Sequence, residues 1–508
     1  MSAAPGSRQT ATLAALALGT SLVLLLGAIL ALGSGPGDEV IAGPDDQQID
    51  GQRAPDPVTG PRPGARLPIE RTPGATLAGG LDGSATAEGQ APLDLGADRR
   101  RLGRLGGARE LDEPAGPVLA DRALFVDATA GRDGNPGTID APLRRPLEAM
   151  QVVEPGTTIY LRAGVYDDRE LGSNILRRSG TPEAWIRIQP FPGERVEIVA
   201  GGEWGNGIEV QGAAYVHISG FVFTGRDDSI HGSGVFGKDG SHDVVVADNV
   251  IVGFGGAGVS FVRSSRVTVE HNEVRENAAR SFYQSSGISL FEASGPLRPN
   301  GGYTNVIRGN HVVGNYNGVP SRQGRLTDGN CIIVDFFNEV GYQGSTLVEN
   351  NVCIENGGRG VHVFNSSNVT ARNNTLIGNG WSPDLHGGKA EMVAARGSNI
   401  AFYNNLVLNR DGVPSFLRSR ADDAVFINNL VRSDPPDGDG NRVLDPGVEP
   451  LITTAPDVPL EAIRPVPGGP AIGSGRADLQ PPVDALGAAR PPTGALGALE
   501  PLLGRPGP

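Results

Sequence analysis

The sequence predicts an all-β solenoid built from coils of about 23 residues, and three observations carry that expectation. Asn249, Asn272, Asn310, Asn351, Asn374, Asn405 and Asn429 recur at or beside short strand-like runs, with successive gaps of 23, 38, 41, 23, 31 and 24 residues. The segments GNGIEVQ, GSGVFGK, GAGVSFV, SSGISLF, GNCIIVD and GRGVHVF, aligned on those asparagines, place apolar residues at alternate positions and open on Gly or Cys. Alternation with period two sends one face inward and the other outward, and a coil of twenty-odd residues without helical periodicity has room for three short strands.

Taken from the start of the chain, Arg8 is followed by an uncharged run from Ala11 to Gly33, about 23 residues, long enough at helical rise to cross a bilayer. Residues 1–33 are expected to be a signal peptide or an uncleaved N-terminal membrane anchor. They would leave the bulk of the chain outside the cell, secreted or tethered at its surface. Residues 34–121, rich in Pro, Gly, Asp and Ala, offer too little apolar surface to offset ordering entropy and are expected to be a disordered linker. The arginines 99, 100, 101, 104 and 109 in it read as a solvated charge run.

Ordered structure is expected over 122–432. It begins with a strand from Leu124, a Gly/Asn/Pro turn, a short helix from Pro146 to Val152 that covers the first sheet edge, and a strand from Thr158 to Tyr166. The recurring asparagines are expected at the coil corners, in left-handed backbone geometry and bonded to their equivalents in the next coil. The Asn-X-Ser/Thr triplets at Asn365, Asn368 and Asn373 are read as turn and ladder residues of the same kind. Residues 433–508 form a Pro/Gly-rich tail expected to pack on the last coils.

Composition narrows the function classes. Net charge is −14, and Lys238 and Lys389 are the only lysines among 43 basic residues, so the general basic field of a nucleic-acid binder is absent. Two cysteines cannot make a disulfide framework for 508 residues. Cys331 and Cys353 are expected as two buried thiols, on successive coils and different sheets.

The block DATAGRDGNPGTIDAPLRRPLEAM followed by GTTIYLRAGVY resembles the N-terminal cap of the pectin-lyase-like superfamily of right-handed parallel β-helices. The stretch GGPAIGSGRADLQPPVDALGAARPPTGALGALEP resembles the tail frequent there. With the repeats, the resemblance covers about Ala123 to Glu500 and implies that fold.

Chemistry is sought where coils carry extra loops, at residues 278–303, 316–327, 336–345 and around 380–389, because loops on the flank of a solenoid wall a groove. Outward positions then form columns one coil apart, about 4.8 Å. One column is expected to run Asn206, Ser233, Ala257, Ser286, Asn330, Arg359, and the next Glu209, Phe236, Ser260, Ser289, Ile333, His362. The candidate site is therefore Asp328, Asn330, Asp335, Arg359 and His362, with Ser286 and Ser289 below and Tyr283, Arg322 and Arg325 on loops. Asp227, Asp228 and His231 resemble a metal cluster only by residue type and are read as turn residues.

LTDGNCIIVD followed by ENGGRGVHVF resembles the acidic motifs of the family-nine pectate lyases, in which aspartates bind calcium and a lysine one coil on abstracts a proton. Only Asp328 carries over. Gly357, Gly358 and His362 stand where that family is acidic or nearly so, and Val393 stands where its lysine would be, with Lys389 four residues off register. Calcium enters only through Asp328, and no other cofactor is expected.

The reading that follows is metal-independent β-elimination of a uronate polysaccharide. Arg359 and Asn330 neutralise the carboxylate, His362 removes the proton beside it, and Tyr283 protonates the leaving oxygen. Asp328, Asp335, Ser286, Ser289, Arg322 and Arg325 bind substrate. A glycoside hydrolase using Asp328 and Asp335 as acid and base, and a non-catalytic polysaccharide-binding rod, are the alternatives. The partner in each case is a polysaccharide, bound by a monomer.

Overall fold

Each repeat folds as one coil of three short strands. A representative coil runs Val235–Lys238, His242–Ala247 and Val250–Val252. The next, Val259–Val262, Ser265–Glu270 and Glu273–Arg275, pairs with it strand for strand in parallel. The computed structural model describes residues 119–299 and 301–501, so the expected export segment and nearly all of the expected linker lie outside the described residues. Among the described residues, stacking yields three parallel sheets of nine, eleven and eleven strands around one apolar interior.

The chain enters through the strand Ala123–Val126 and the helix Pro146–Val152, the span expected, with proline in its first turn where no amide hydrogen is needed. Ala149 and Met150 of that helix pack into the main core, against the first strands. The expected strand Thr158–Tyr166 is instead two strands of different sheets, Thr158–Leu161 and Gly164–Asp167. A coil must turn after about four strand residues to close, and Glu194 holds this corner, accepting from Arg162 Nε at 3.0 Å and from the Ala163 amide.

The asparagine ladder forms as expected in its bonding. Asn310 donates both its backbone N–H (3.0 Å) and its side-chain amide (2.9 Å) to Asn351 Oδ1, and the pattern repeats through Asn249, Asn272, Asn374, Asn405 and Asn429 to Asn441. Its backbone geometry differs from expectation. The left-handed residue is the one before each ladder asparagine, as at Asp248, His271, Asn350, Asn373, Asn404 and Asn428, with φ of 55°, 55°, 56°, 50°, 56° and 57°. The preceding residue makes the corner, which leaves the asparagine free to point inward and satisfy buried backbone groups. Asn365 and Asn368, with φ of 44° and 60°, are turn residues of the same left-handed kind.

The glycine that opens each groove-sheet strand has a packing reason. A Cβ on Gly234 would stand 2.3 Å from Ile251 Cγ2, on Gly258 2.3 Å from Val274 Cγ1, and on Gly287 2.6 Å from Val312 Cγ1. In the next coil Cys331 takes the glycine position and Cys353 the apolar one. The expectation of two thiols on successive coils is therefore wrong. Both cysteines belong to one coil, on sheets that face each other across its narrow interior, and they form a disulfide with Cα atoms 5.7 Å apart.

The C-terminal segment lies along the outward face of the third sheet. Leu451, Ile463, Ala471, Ala485, Leu496 and Leu499 form a second apolar cluster with Val352, Ile354, Leu406 and Leu430 of that sheet. Arg490 fixes the segment by bonding Asn350 Oδ1 at 2.9 Å and pairing with Glu500. Among the described residues no helix is long and apolar enough to cross a membrane.

Candidate functional site

The nine-stranded sheet carries the site, and its register sets which side chains meet. Glu209, Phe236, Ser260, Ser289, Ile333 and His362 align as one outward column, continued by Val393. The neighbouring column is linked by hydrogen bonds: Ser233 N to Asn206 Oδ1 (2.8 Å), Asn330 Nδ2 to Ser286 Oγ (3.0 Å) and Arg359 N to Asn330 Oδ1 (2.8 Å). Its members are not outward. Ser286 and Asn330 are fully buried, because loops 314–331 and 378–391 fold over this end of the strands.

Those two loops clasp each other. His386 N donates to Leu326 O at 2.7 Å, and Arg359 donates from Nη1 to Thr327 O (2.7 Å) and from Nη2 to His386 O (2.9 Å). Arg359 is 3 % exposed, so its guanidinium bridges the loops and leaves little surface for a ligand. Arg325 approaches His386 Nε2 at 3.3 Å on the outside of this clasp.

Beneath the clasp lie Asp328, Asp335 and His362. Asp328 accepts from Asn330 Nδ2 (2.9 Å) and Thr327 Oγ1 (3.0 Å), and His362 Nδ1 stands 4.0 Å from its Oδ1. Asp335 closes the strand Ile332–Asp335, and its outer neighbours on the adjoining strands are Phe291 and Phe364. Three polar atoms here are buried with no hydrogen-bond partner among the described residues: Asp335 Oδ1, Arg359 Nε and His362 Nδ1. Orphaned polar atoms cost free energy, and three of them among these residues make this the candidate site.

Burial sets the protonation states. Loss of water, then the Arg359 charge, pushes the His362 imidazole well below its ordinary value and keeps it neutral. Burial first, and then the Asp328 and Glu292 charges, raises the Asp335 carboxyl well above the usual range. Asp328 is also raised by burial, although Arg359 and its hydrogen bonds oppose this. Below Gly360, Glu391 is fully buried and pushed up to about 7 by desolvation, while its two oxygens accept from Asn379 N (2.8 Å) and Nδ2 (2.6 Å).

Calcium does not fit this donor set. Both Asp328 oxygens are engaged by protein donors, a guanidinium adjoins them, and among the described residues no three His, Cys, Asp or Glu side chains converge as metal ligands. Asp228 is instead bound by Arg169 and Arg226. Lys389 lies half-buried in loop 378–391, its ammonium pKa lowered by desolvation.

Tyr283 and Arg322 are not part of the His362 group. Tyr283 lies on loop 276–287 with Phe282, Trp204 and His231, at ring-centroid distances of 4.3, 5.7 and 5.0 Å, and Arg322 sits over Phe282 at 4.5 Å. Trp204 escaped the sequence reading and His231 entered it only as a turn residue, since single rings in glycine-rich turns give no periodic signal. A second ladder, Asn277, Asn315, Asn356 and Asn379, was also missed, although its gaps of 38, 41 and 23 residues copy the first.

Residues 202–334 match a family model described as a right handed beta helix region. The described residues fold as a right-handed parallel β-helix.

Similar solved structures include pectate lyase Pel9A, 15 % identical with a TM-score of 0.44, over 75 % of this chain and 97 % of that one. A GH136 lacto-N-biosidase from Eubacterium ramulus is 12 % identical with a TM-score of 0.40, over 61 % of this chain. This β-helix spans 56 % of that enzyme's length. An alginate lyase from a Paenibacillus species is 16 % identical with a TM-score of 0.35, over 61 % of this chain and 87 % of that one. No curated protein sequence matches the β-helix.

Proposed function

We propose that this β-helix is a carbohydrate-active enzyme that cleaves a uronate-containing polysaccharide by β-elimination outside the cell, with His362 as the base. The observation that carries the reading is the state of His362: on the outward column, 6 % exposed, held neutral, and with Nδ1 unpartnered. A neutral imidazole can take the proton from the carbon beside the uronate carboxylate. The released electron pair forms a carbon–carbon double bond as the glycosidic C–O bond breaks, and the leaving oxygen needs a proton.

In this reading Asp335 gives that proton. It lies on the strand adjoining that of His362, two residues past the register partner Ile333, and its environment keeps it protonated. Tyr283 stands with the separate aromatic group, which favours Asp335 in that role. Arg359, with Asn330 beside it, supplies the positive charge, and substrate gains access when the Leu326–His386 clasp parts. The uncharged run Ala11–Gly33 supports export, with the chain anchored or released as a monomer.

A hydrolase reading draws on one observation, the electrostatic coupling of Asp328 to the more strongly raised Asp335, which suits a base and an acid. The product decides. Purified protein incubated with a panel of uronate polymers is expected to generate unsaturated, ultraviolet-absorbing ends, and His362→Gln to abolish them. Plain reducing ends without that absorbance would transfer the reaction to Asp328 and Asp335. Binding without chain shortening would leave a non-catalytic rod.

A further inference from the structure

Loop 276–287 does not simply cross the flank of its own coil. Arg280 pins it backward, with Nη2 donating to Gly253 O at 2.5 Å and to Arg226 O at 3.2 Å, and Ser281 Oγ meets His231 Nδ1 at 3.0 Å. The loop thereby spans the coil whose own flank is the short segment 253–258. It delivers Phe282 and Tyr283 against His231, at 4.5 and 5.0 Å, and Tyr283 against Trp204 at 5.7 Å. Trp204 remains 51 % exposed, a large apolar face that the fold has not covered.

Arg322, from loop 314–331, lies over Phe282 at 4.5 Å and Tyr283 at 5.8 Å. It is exposed, and among the described residues no carboxylate comes within 4 Å of its guanidinium. Desolvation lowers the His231 imidazole, with the Glu203 carboxylate opposing the shift and the Arg322 charge reinforcing it. The group combines a half-exposed aromatic face with a guanidinium at its rim that lacks a protein carboxylate.

We infer that Trp204, His231 and Tyr283 form a stacking platform for one sugar ring, and that Arg322 selects a ring bearing a carboxylate. The C–H face of a pyranose is apolar and matches an indole face, while a guanidinium pairs with a carboxylate at the ring edge. The platform belongs to the coils below His362. His231 precedes the strand Val235–Lys238 and Trp204 the strand Ile208–Gln211, four and five coils from Val361–Phe364, a separation of about 20 Å along the axis at the usual strand spacing. A polymer lying along the groove would occupy it with a unit other than the one being cleaved. This subsite rests on the acidic-polysaccharide reading above.

The test measures equilibrium binding of a uronic-acid oligosaccharide and of its carboxyl-reduced, neutral counterpart to the full chain, with Trp204→Ala and Arg322→Gln beside the unaltered protein. Both side chains are exposed, and an unchanged melting temperature confirms that each variant folds. Trp204→Ala is expected to weaken both ligands about tenfold through the lost stacking face. Arg322→Gln is expected to weaken the acidic ligand about tenfold and leave the neutral one unchanged, removing the preference.

Equal effects of Arg322→Gln on the two ligands, no effect of Trp204→Ala, or no binding of either ligand would each overturn the subsite. The same samples are assayed for unsaturated ends. The expected binding pattern without cleavage leaves the subsite standing and sinks the lyase reading. Cleavage with variants that bind like the unaltered protein does the reverse.

Discussion

His362 Nδ1 lies 4.0 Å from Asp328 Oδ1, beyond hydrogen-bond range, although both groups are largely buried and no other partner reaches that nitrogen among the described residues. For a base, the free nitrogen is the functional state, and burial keeps it unprotonated.

The pH profile follows. A base whose pKa is lowered stays competent below the ordinary imidazole value of about 6.5, so cleavage is expected to persist into mildly acidic solution. Initial rates across pH check this, and His362→Ala is expected to cost about a hundredfold or more at every pH.

Arg359 ties Thr327 to His386 through backbone carbonyls. Arg359→Met is expected to leave the coils intact but release loops 314–331 and 378–391. Limited proteolysis should then cut within 318–327 or 381–389 faster than in the unaltered protein, at an unchanged melting temperature of the remaining coils.

Glu391 should give stability a pH dependence of definite sign. Its folded pKa of about 7 exceeds the unfolded 4.5, so the folded state holds the extra proton between these values. Its stabilising contribution is complete below 4.5 and is lost as pH rises through about 7, by about 3 kcal/mol in all. Glu391→Gln, which cannot ionise, is expected to lose one acceptor toward Asn379 at acid pH and to flatten this slope. Denaturant melts at several pH values measure both effects.

The disulfide closes a separation of 22 residues, for which chain entropy suggests about 3 kcal/mol. Cys331→Ala with Cys353→Ala should lose that much. Cys331→Gly with Cys353→Val, which copies the Gly287 and Val312 pairing one coil below, should lose less because it refills the interior. Unfolding the unaltered protein without reductant should expose no thiol to labelling.

Asn356→Ala would strand the buried N–H of Asn315, which donates to Asn356 Oδ1 at 3.0 Å, and would take one of its three acceptors from the Asn315 side-chain amide. A loss of about 2 kcal/mol or more is expected from chemical denaturation. Asn441 at the half-buried end of the first ladder should cost less on the same change.

The alternation in GAGVSFV and GRGVHVF was enough to read the coil and the column from Glu209 to His362, because strand periodicity is local and stacking repeats it without error. The same local logic failed at Cys331 and Cys353. Their pairing depends on how sharply the coil closes, which sets which sheets face each other across the interior.

The sequence by itself determined the solenoid, its inward and outward faces, the first asparagine ladder, and the gathering of Asp328, Asn330, Arg359 and His362. Those properties follow from period, spacing and residue type. Tertiary structure alone decided that loops 314–331 and 378–391 clasp over Arg359, that burial leaves His362 neutral and Asp335 raised, and that Tyr283 joins Trp204 instead of His362. Loop paths and solvent exclusion depend on contacts between segments far apart in the chain, and no repeat encodes them.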